Sequence, residues 1–151
     1  MSKRPHSPKL ALLRLTISFL YVLILLLTVI EVVRFEEKHL TPLGTFKLTF
    51  YCSCETCSGQ WGTSTALGTE TIEGYTVAVD RNVIPLGTVL YIEGYGDFLA
   101  EDVGGAIKGS HIDVYVEDHQ RALRLGVDEA QVYRYPEGKE LDKRSAHTIE
   151  P

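Results

Sequence analysis

Asp102-Val-Gly-Gly-Ala-Ile-Lys-Gly-Ser-His-Ile-Asp113-Val-Tyr115 is the stretch whose reading decides the fold. Two aspartates bracket a turn that holds Gly104, Gly105 and Gly109. Beyond the turn, Ile112, Val114 and Val116 alternate with His111, Asp113 and Tyr115. A period of two marks a strand with one apolar face. The aliphatic residues therefore face a core, and Asp113 faces away from it beside His111 and Tyr115. Two upstream runs also end on an aspartate, Tyr75 to Asp80 and Phe98 to Asp102. Their neighbours on the aspartate's face are small: Thr76 and Ala78 in one, Ala100 in the other. Small residues around carboxylates leave room for a ligand.

Outward from this stretch, strands are predicted over Lys47–Tyr51, Tyr75–Asp80, Thr88–Glu93, Asp97–Asp102, the run after Gly109, and Gln131–Tyr135. Pro85 and Gly87 mark a turn, and Gly94-Tyr-Gly96 reads as a hairpin. A helix is predicted over Asp118–Gly126. Asp118 caps its start, Gly126 ends it, and Ala122, Leu123 and Leu125 supply apolar contacts. Cys52–Gly74 reads as a long loop, of the kind that often carries function. The pattern predicts a mainly β domain over residues 46–136, a small closed barrel of six strands with one short helix. Residues 34–45 read as a linker. Residues 137–151 are polar and charged, and a disordered tail is expected there.

The N-terminal part differs in kind. Leu15–Ile30 contains no charge and no proline. Extended to residues 10–33, it reaches the roughly 20 residues that a membrane-spanning helix needs. Lys3, Arg4, Lys9 and Arg14 precede or open it, so residues 1–9 are expected in the cytoplasm and the rest of the chain outside. A cleaved signal peptide is the alternative, but Thr28–Arg34 offers no small-x-small cleavage site. The expectation is an uncleaved anchor.

The formal net charge of -5 divides unevenly. Residues 1–33 hold four basic groups and one acidic, giving +3, whereas the remainder holds 11 basic and 19 acidic, giving -8. An acidic outer domain repels phosphate, which argues against nucleic acid as a partner. Cys52, Cys54 and Cys57 are the three cysteines of the chain. A Cys54–Cys57 disulfide is one reading and free thiols are another. A zinc site is a third, and it requires a nearby histidine to complete four ligands.

Order and spacing carry a resemblance. Phe50-Tyr-Cys-Ser-Cys54, Ala78-Val-Asp80, Ile84-Pro-Leu-Gly-Thr88, Ala100-Glu-Asp102, Gly104-Gly-Ala-Ile-Lys-Gly109 and Ile112-Asp-Val-Tyr115 follow one another, then His119, Ala122-Leu123 and Gly126. In this the domain resembles the 3D (three-aspartate) domain of Gram-positive cell-wall proteins, including the stationary-phase survival type. The glycine segment and its following aspartate also resemble the catalytic segment of the membrane-bound lytic transglycosylase A family, whose second domain this chain lacks. The resemblance implies a double-psi β-barrel. It also implies cleavage of peptidoglycan glycan strands between N-acetylmuramic acid and N-acetylglucosamine. The same barrel also occurs in expansin-like proteins that bind polysaccharide without cleaving it, so a non-catalytic glycan-binding module is the competing expectation.

By similarity, Asp113 is the acid/base, with Asp102 and Asp80 as supporting carboxylates. An exposed aspartate has a pKa of roughly 3.9 and is no acid near neutrality, so Asp113 needs burial or nearby negative charge. Gly104 and Gly105 are expected to allow close approach of a sugar. Trp61 offers a flat face for a pyranose ring. Thr65 and Lys108 are further candidates to bind substrate, as is Tyr115, which shares the face of Asp113. No cofactor is expected, and nothing in the chemistry requires a catalytic metal.

Overall fold

The structure is a computed structural model that describes residues 8–37 and 40–149. Most of the basic segment 1–9 lies outside the described residues, as do 38–39 and 150–151. Two compact units are present, divided at His39 and Leu40.

The first unit is a single helix, α1 (Pro8–Glu37). Within it Leu12–Ile30 is long and apolar enough to cross a membrane, with a mean hydropathy of 2.4 and no buried position. Membrane anchors and signal sequences share that length and composition. The helix continues to Glu37, into the stretch expected to be linker.

The second unit is a closed barrel. Its strands are β1 (Thr41–Tyr51), β2 (Thr76–Val79), β3 (Val89–Ile92), β4 (Gly96–Asp102), β5 (His111–Tyr115) and β6 (Asp128–Arg134), in the order β1-β5-β2-β4-β3-β6. The pairs β1–β5 and β2–β4 are parallel and the others antiparallel. This is the small six-stranded closed barrel expected from the sequence. Alternate residues Phe46, Leu48, Val77, Val79, Leu90, Ile92, Ile112, Val114 and Val132 fill its interior, all 2% exposed or less. The inward face of β5 is thus the aliphatic one, and His111 and Asp113 face out.

Three expectations change. β1 starts at Thr41, not Lys47, because Thr41–Thr45 pair with Arg134–Gln131 across a bulge at Pro42/Gly44. Part of the expected linker is therefore barrel wall. The tail is ordered as far as Ile149, whose side chain is 2% exposed in the core. His147 packs on Phe98 and lies 2.7 Å from the Tyr95 carbonyl through Nε2, while the Tyr75 hydroxyl donates to the Leu141 carbonyl at 3.2 Å. Among the described residues of this polar tail, Ile149 is the one that joins the core.

The third change concerns β4. Phe98 and Ala100 both point into the core, where Ala100 is fully buried. Strict alternation would send Asp102 after them. A bulge intervenes: Val77 pairs with Ala100, and the next residue, Ala78, pairs with Asp102, so Glu101 is the extra residue. The bulge moves Asp102 to the outer face of the barrel, as bulges beside functional sites do. Ala100 therefore does not share a face with Asp102.

Short helices complete the unit. α2 (Glu55–Ser58) and a 3-10 turn (Gly59–Trp61) lie in the expected loop. α3 (His119–Leu125) matches its predicted position: the Asp118 side chain accepts from the Arg121 amide, and the Gly126 amide donates to the Ala122 carbonyl. Ala122 is buried and Leu125 half-buried against the core, whereas Leu123 is 62% exposed and contributes no packing there.

Candidate active site

Barrel closure places four residues in one row across adjacent strands. Thr49 of β1 pairs with Asp113 of β5, Asp113 with Ala78 of β2, and Ala78 with Asp102 of β4. The two carboxylates are thus separated by one strand, whose side chain at that level is a methyl group. Strand spacing sets the backbones of Asp113 and Asp102 about 10 Å apart. Above the row lies a groove of about 570 Å³. Its walls include Tyr51, Trp61, Thr65, Asp102, Gly105 and Asp113.

Asp113 is half-buried. Its Oδ1 accepts a hydrogen bond from the Thr49 hydroxyl at 2.6 Å, and the Thr49 oxygen lies 2.9 Å from Nε2 of His111. Burial pushes the Asp113 carboxyl above the ordinary carboxylate range. The Thr49 hydroxyl, His111 and Lys47 oppose that rise, and the charge of Asp102 adds to it.

Asp102 is held at both oxygens. Oδ2 accepts from the Tyr51 hydroxyl at 2.8 Å, and Oδ1 accepts from the amides of Val103 at 2.9 Å and Ala66 at 3.1 Å. Burial, followed by the charge of Asp102, drives the Tyr51 phenol far upward, so it stays protonated as a donor. Tyr115 lies beneath, edge-on to Tyr51 at 5.4 Å between ring centres, and is 4% exposed. It supports the groove floor and is not part of the wall.

Asp80 lies outside the groove lining. Its Oδ2 accepts from the Gly109 amide at 2.9 Å, and its Oδ1 accepts from the amide and side chain of Asn82, each at 3.0 Å. The Gly109 amide is the largest influence holding its carboxyl below the ordinary range. Asp80 thereby closes the far end of the glycine turn, where Gly109 has φ +64°. Lys108 is exposed beside Asp80 and is also outside the lining. Gly104 and Gly105 both line the groove. A Cβ on Gly104 would stand 2.5 Å from Cγ1 of buried Ile107, whereas one on Gly105 would meet nothing. The first glycine is needed for packing, and the second leaves space.

Trp61 is 68% exposed on the rim. Thr65 is buried, and its Oγ1 lies 2.7 Å from that of Thr69. This contact leads to a group that the sequence reading overlooked. Glu101, the bulge residue, is fully buried and accepts from Thr69 Oγ1 at 2.7 Å and Thr76 Oγ1 at 2.6 Å, while its carbonyl accepts from the Leu67 amide. It ties the 65–69 turn, and with it the Ala66 amide, to the barrel. Thr49 and Tyr51 were overlooked too. Their period-two placement on β1 signals an outward face, but only strand pairing shows what they meet.

No Cys54–Cys57 disulfide is formed, and all three cysteines are free. They converge on His119, whose Nδ1 lies 3.5 Å from Sγ of Cys52, 3.4 Å from that of Cys54 and 3.5 Å from that of Cys57.

Residues 75–135, which take in β2 through β6, match the family model of the 3D domain, the family that the sequence motifs resemble. Particular relatives are cell-wall proteins of Bacillus subtilis strain 168. One, YabE, is named for cell wall shaping and is 43% identical over 93 residues, covering 62% of this chain and 23% of YabE. The cell wall-binding protein YocH is 54% identical over 56 residues, covering 37% of this chain and 20% of YocH. The chain thus spans less than a quarter of the length of these relatives. Among solved structures, MltA from Escherichia coli, reported to have a unique lytic transglycosylase fold, matches at 29% identity with a TM-score of 0.43, over 48% of this chain and 27% of MltA.

Proposed function

We propose that the barrel cleaves the bond between N-acetylmuramic acid and N-acetylglucosamine in peptidoglycan as a lytic transglycosylase, with Asp113 as its acid/base. The carrying observation is the contrast between two carboxylates in one groove. Asp113 is half-buried with a raised pKa, whereas Asp102 has both oxygens committed to N–H and O–H donors. Burial that favours the protonated form of Asp113 suits the role of acid, and fixed donors on Asp102 suit a stationary negative group. Protonated Asp113 gives its proton to the bridging oxygen, and the glycosidic bond breaks as positive charge grows on the sugar. Asp102, fixed in place, stabilises that charge. The Asp113 carboxylate then takes the proton of the muramic acid C6 hydroxyl, whose oxygen bonds to C1 and closes a 1,6-anhydro ring. No water is consumed, so no second carboxylate is needed as base.

Trp61 on the rim supplies a stacking face, and Gly104 and Gly105 let the chain of sugars approach the backbone. Asp80 acts as a positioning residue through Gly109. Lys108 lies on the outside of the same turn, where it can meet a more distant part of the substrate. Within this reading α1 anchors the protein in the cell membrane as a single pass, with the barrel on the wall side and glycan strands as its partner.

The name of YocH favours a second reading, a barrel that binds wall glycan without cutting it. One experiment separates the two. The full chain in detergent is incubated with purified peptidoglycan and the soluble products are analysed by mass spectrometry. Release of 1,6-anhydromuropeptides, lost by about a hundredfold or more in Asp113→Asn, is the expected result. Binding without products supports the second reading, and reducing-end muramic acid identifies a hydrolase.

A further inference from the structure

We propose that Cys52, Cys54, Cys57 and His119 form a structural Zn²⁺ site that staples the rim of the groove to α3. The inference is independent of the catalytic reading, since it concerns ligand geometry that involves none of the three aspartates.

The four ligand atoms lie within 4.8 Å of one another, although Cys54 and His119 are 65 residues apart in sequence. Zinc bonds of about 2.3 Å to sulfur and 2.0–2.1 Å to nitrogen, at tetrahedral angles, give a sulfur-to-nitrogen edge of roughly 3.6 Å. The three observed edges are 3.5, 3.4 and 3.5 Å. Hydrogen bonding alone does not account for three equal contacts. A neutral imidazole Nδ1 carries either one proton or one lone pair, so it cannot bond all three sulfurs at once. A disulfide would pair two of the sulfurs and leave the third without a reason to converge. A cation at the centre engages all four at once.

The donor set selects the metal. Three thiolates and one imidazole suit tetrahedral zinc, whereas calcium and magnesium require oxygen. Four protein ligands leave no open position, so the site is structural. Its placement explains what it does. Cys57, Ser58, Trp61 and Gly62 line the groove, yet neither α2 nor the turn after it contains a buried residue. A segment without its own core is held by other means, and metal binding is folding free energy for such segments. The remaining anchors here are modest: the Ser58 hydroxyl donates to the Cys52 carbonyl at 2.7 Å, and α2 is one turn long.

The test uses the full chain, purified in detergent with reductant and without a histidine tag. Elemental analysis is expected to give one zinc per chain. A strong chelator should remove it, expose three thiols to alkylation, and lower the fluorescence anisotropy of Trp61, the sole tryptophan. Added Zn²⁺ should restore all three properties and Mg²⁺ none. Co²⁺ added to the stripped protein should produce thiolate charge-transfer and tetrahedral d–d absorption. Cys57→Ser alters an exposed residue and leaves the barrel intact, and it should weaken zinc binding at least about tenfold. Three results would each overturn the proposal: wild type with under about a tenth of an equivalent of zinc and no cobalt spectrum, iron in place of zinc, or a Cys54–Cys57 disulfide in protein isolated without reductant.

Discussion

Thr49 and Asp113 stand opposite each other in the parallel pairing of β1 with β5, and the Thr49 hydroxyl donates to Asp113 Oδ1 at 2.6 Å. This bond favours the charged form of Asp113, against the burial that favours the neutral form. The two largest influences on the Asp113 carboxyl are thus opposed, and each can be removed separately.

Thr49→Val removes the donor and keeps the shape. A hydrogen bond to a charged group is worth about 1.5–3 kcal/mol, so the Asp113 pKa should rise by about one to two units. An acid must be protonated to act, so the limb on which activity falls with rising pH should move upward by that amount. Thr49→Ser should keep the wild-type profile. A limb that stays in place in Thr49→Val would show that Asp113 is not the group being titrated.

Asp113→Asn should make the protein more stable at neutral pH. The folded-state pKa of Asp113 lies above the unfolded value of roughly 3.9. Its contribution to stability is therefore fully present below about pH 4 and is lost as pH rises through the folded-state value. The neutral amide avoids that loss. Thermal melts of both proteins should show a higher Tm for the variant near pH 7 and converging curves near pH 4. Equal melting temperatures at neutral pH would mean that burial does not govern this carboxyl.

Trp61→Ala should weaken binding to glycan while leaving Tm within a few degrees, because the indole is 68% exposed. A pull-down with purified peptidoglycan and a melt of the same sample decide it. A loss of about 3 kcal/mol or more, as for a buried aromatic, would place Trp61 in a core instead.

Ile149→Ala should destabilise the barrel by about 2–5 kcal/mol, the usual cost of truncating a buried isoleucine. Chemical denaturation measures it. A change near zero would show that the tail does not dock.

Much of the barrel was legible because its signals are local. Alternation located the strands from Lys47 onward, and the Asp118 and Gly126 caps located α3. The tail was misread because one isoleucine among charged residues has no period to detect. The start of β1 was misread because Pro42 and Gly44 look like linker until β6 pairs with them. Ala100 was set on the wrong face because a bulge leaves no mark in a five-residue alternation. The motifs from Phe50 to Gly126 pointed to the groove as a whole, but not to the Thr49 hydroxyl or to Glu101.

The sequence by itself determined an apolar helix, a six-stranded mainly β domain, and Asp113 on the outward face of its strand. These follow from periodicity and from what each side chain does alone. Only the tertiary structure decided which residues meet. Strand order set Thr49 against Asp113 and put Ala78 between Asp113 and Asp102. The bulge at Glu101 turned Asp102 out of the core, and α3 brought His119 to three cysteines far away in the chain. Such meetings depend on register and closure, which are properties of the whole barrel and are carried by no single stretch of it.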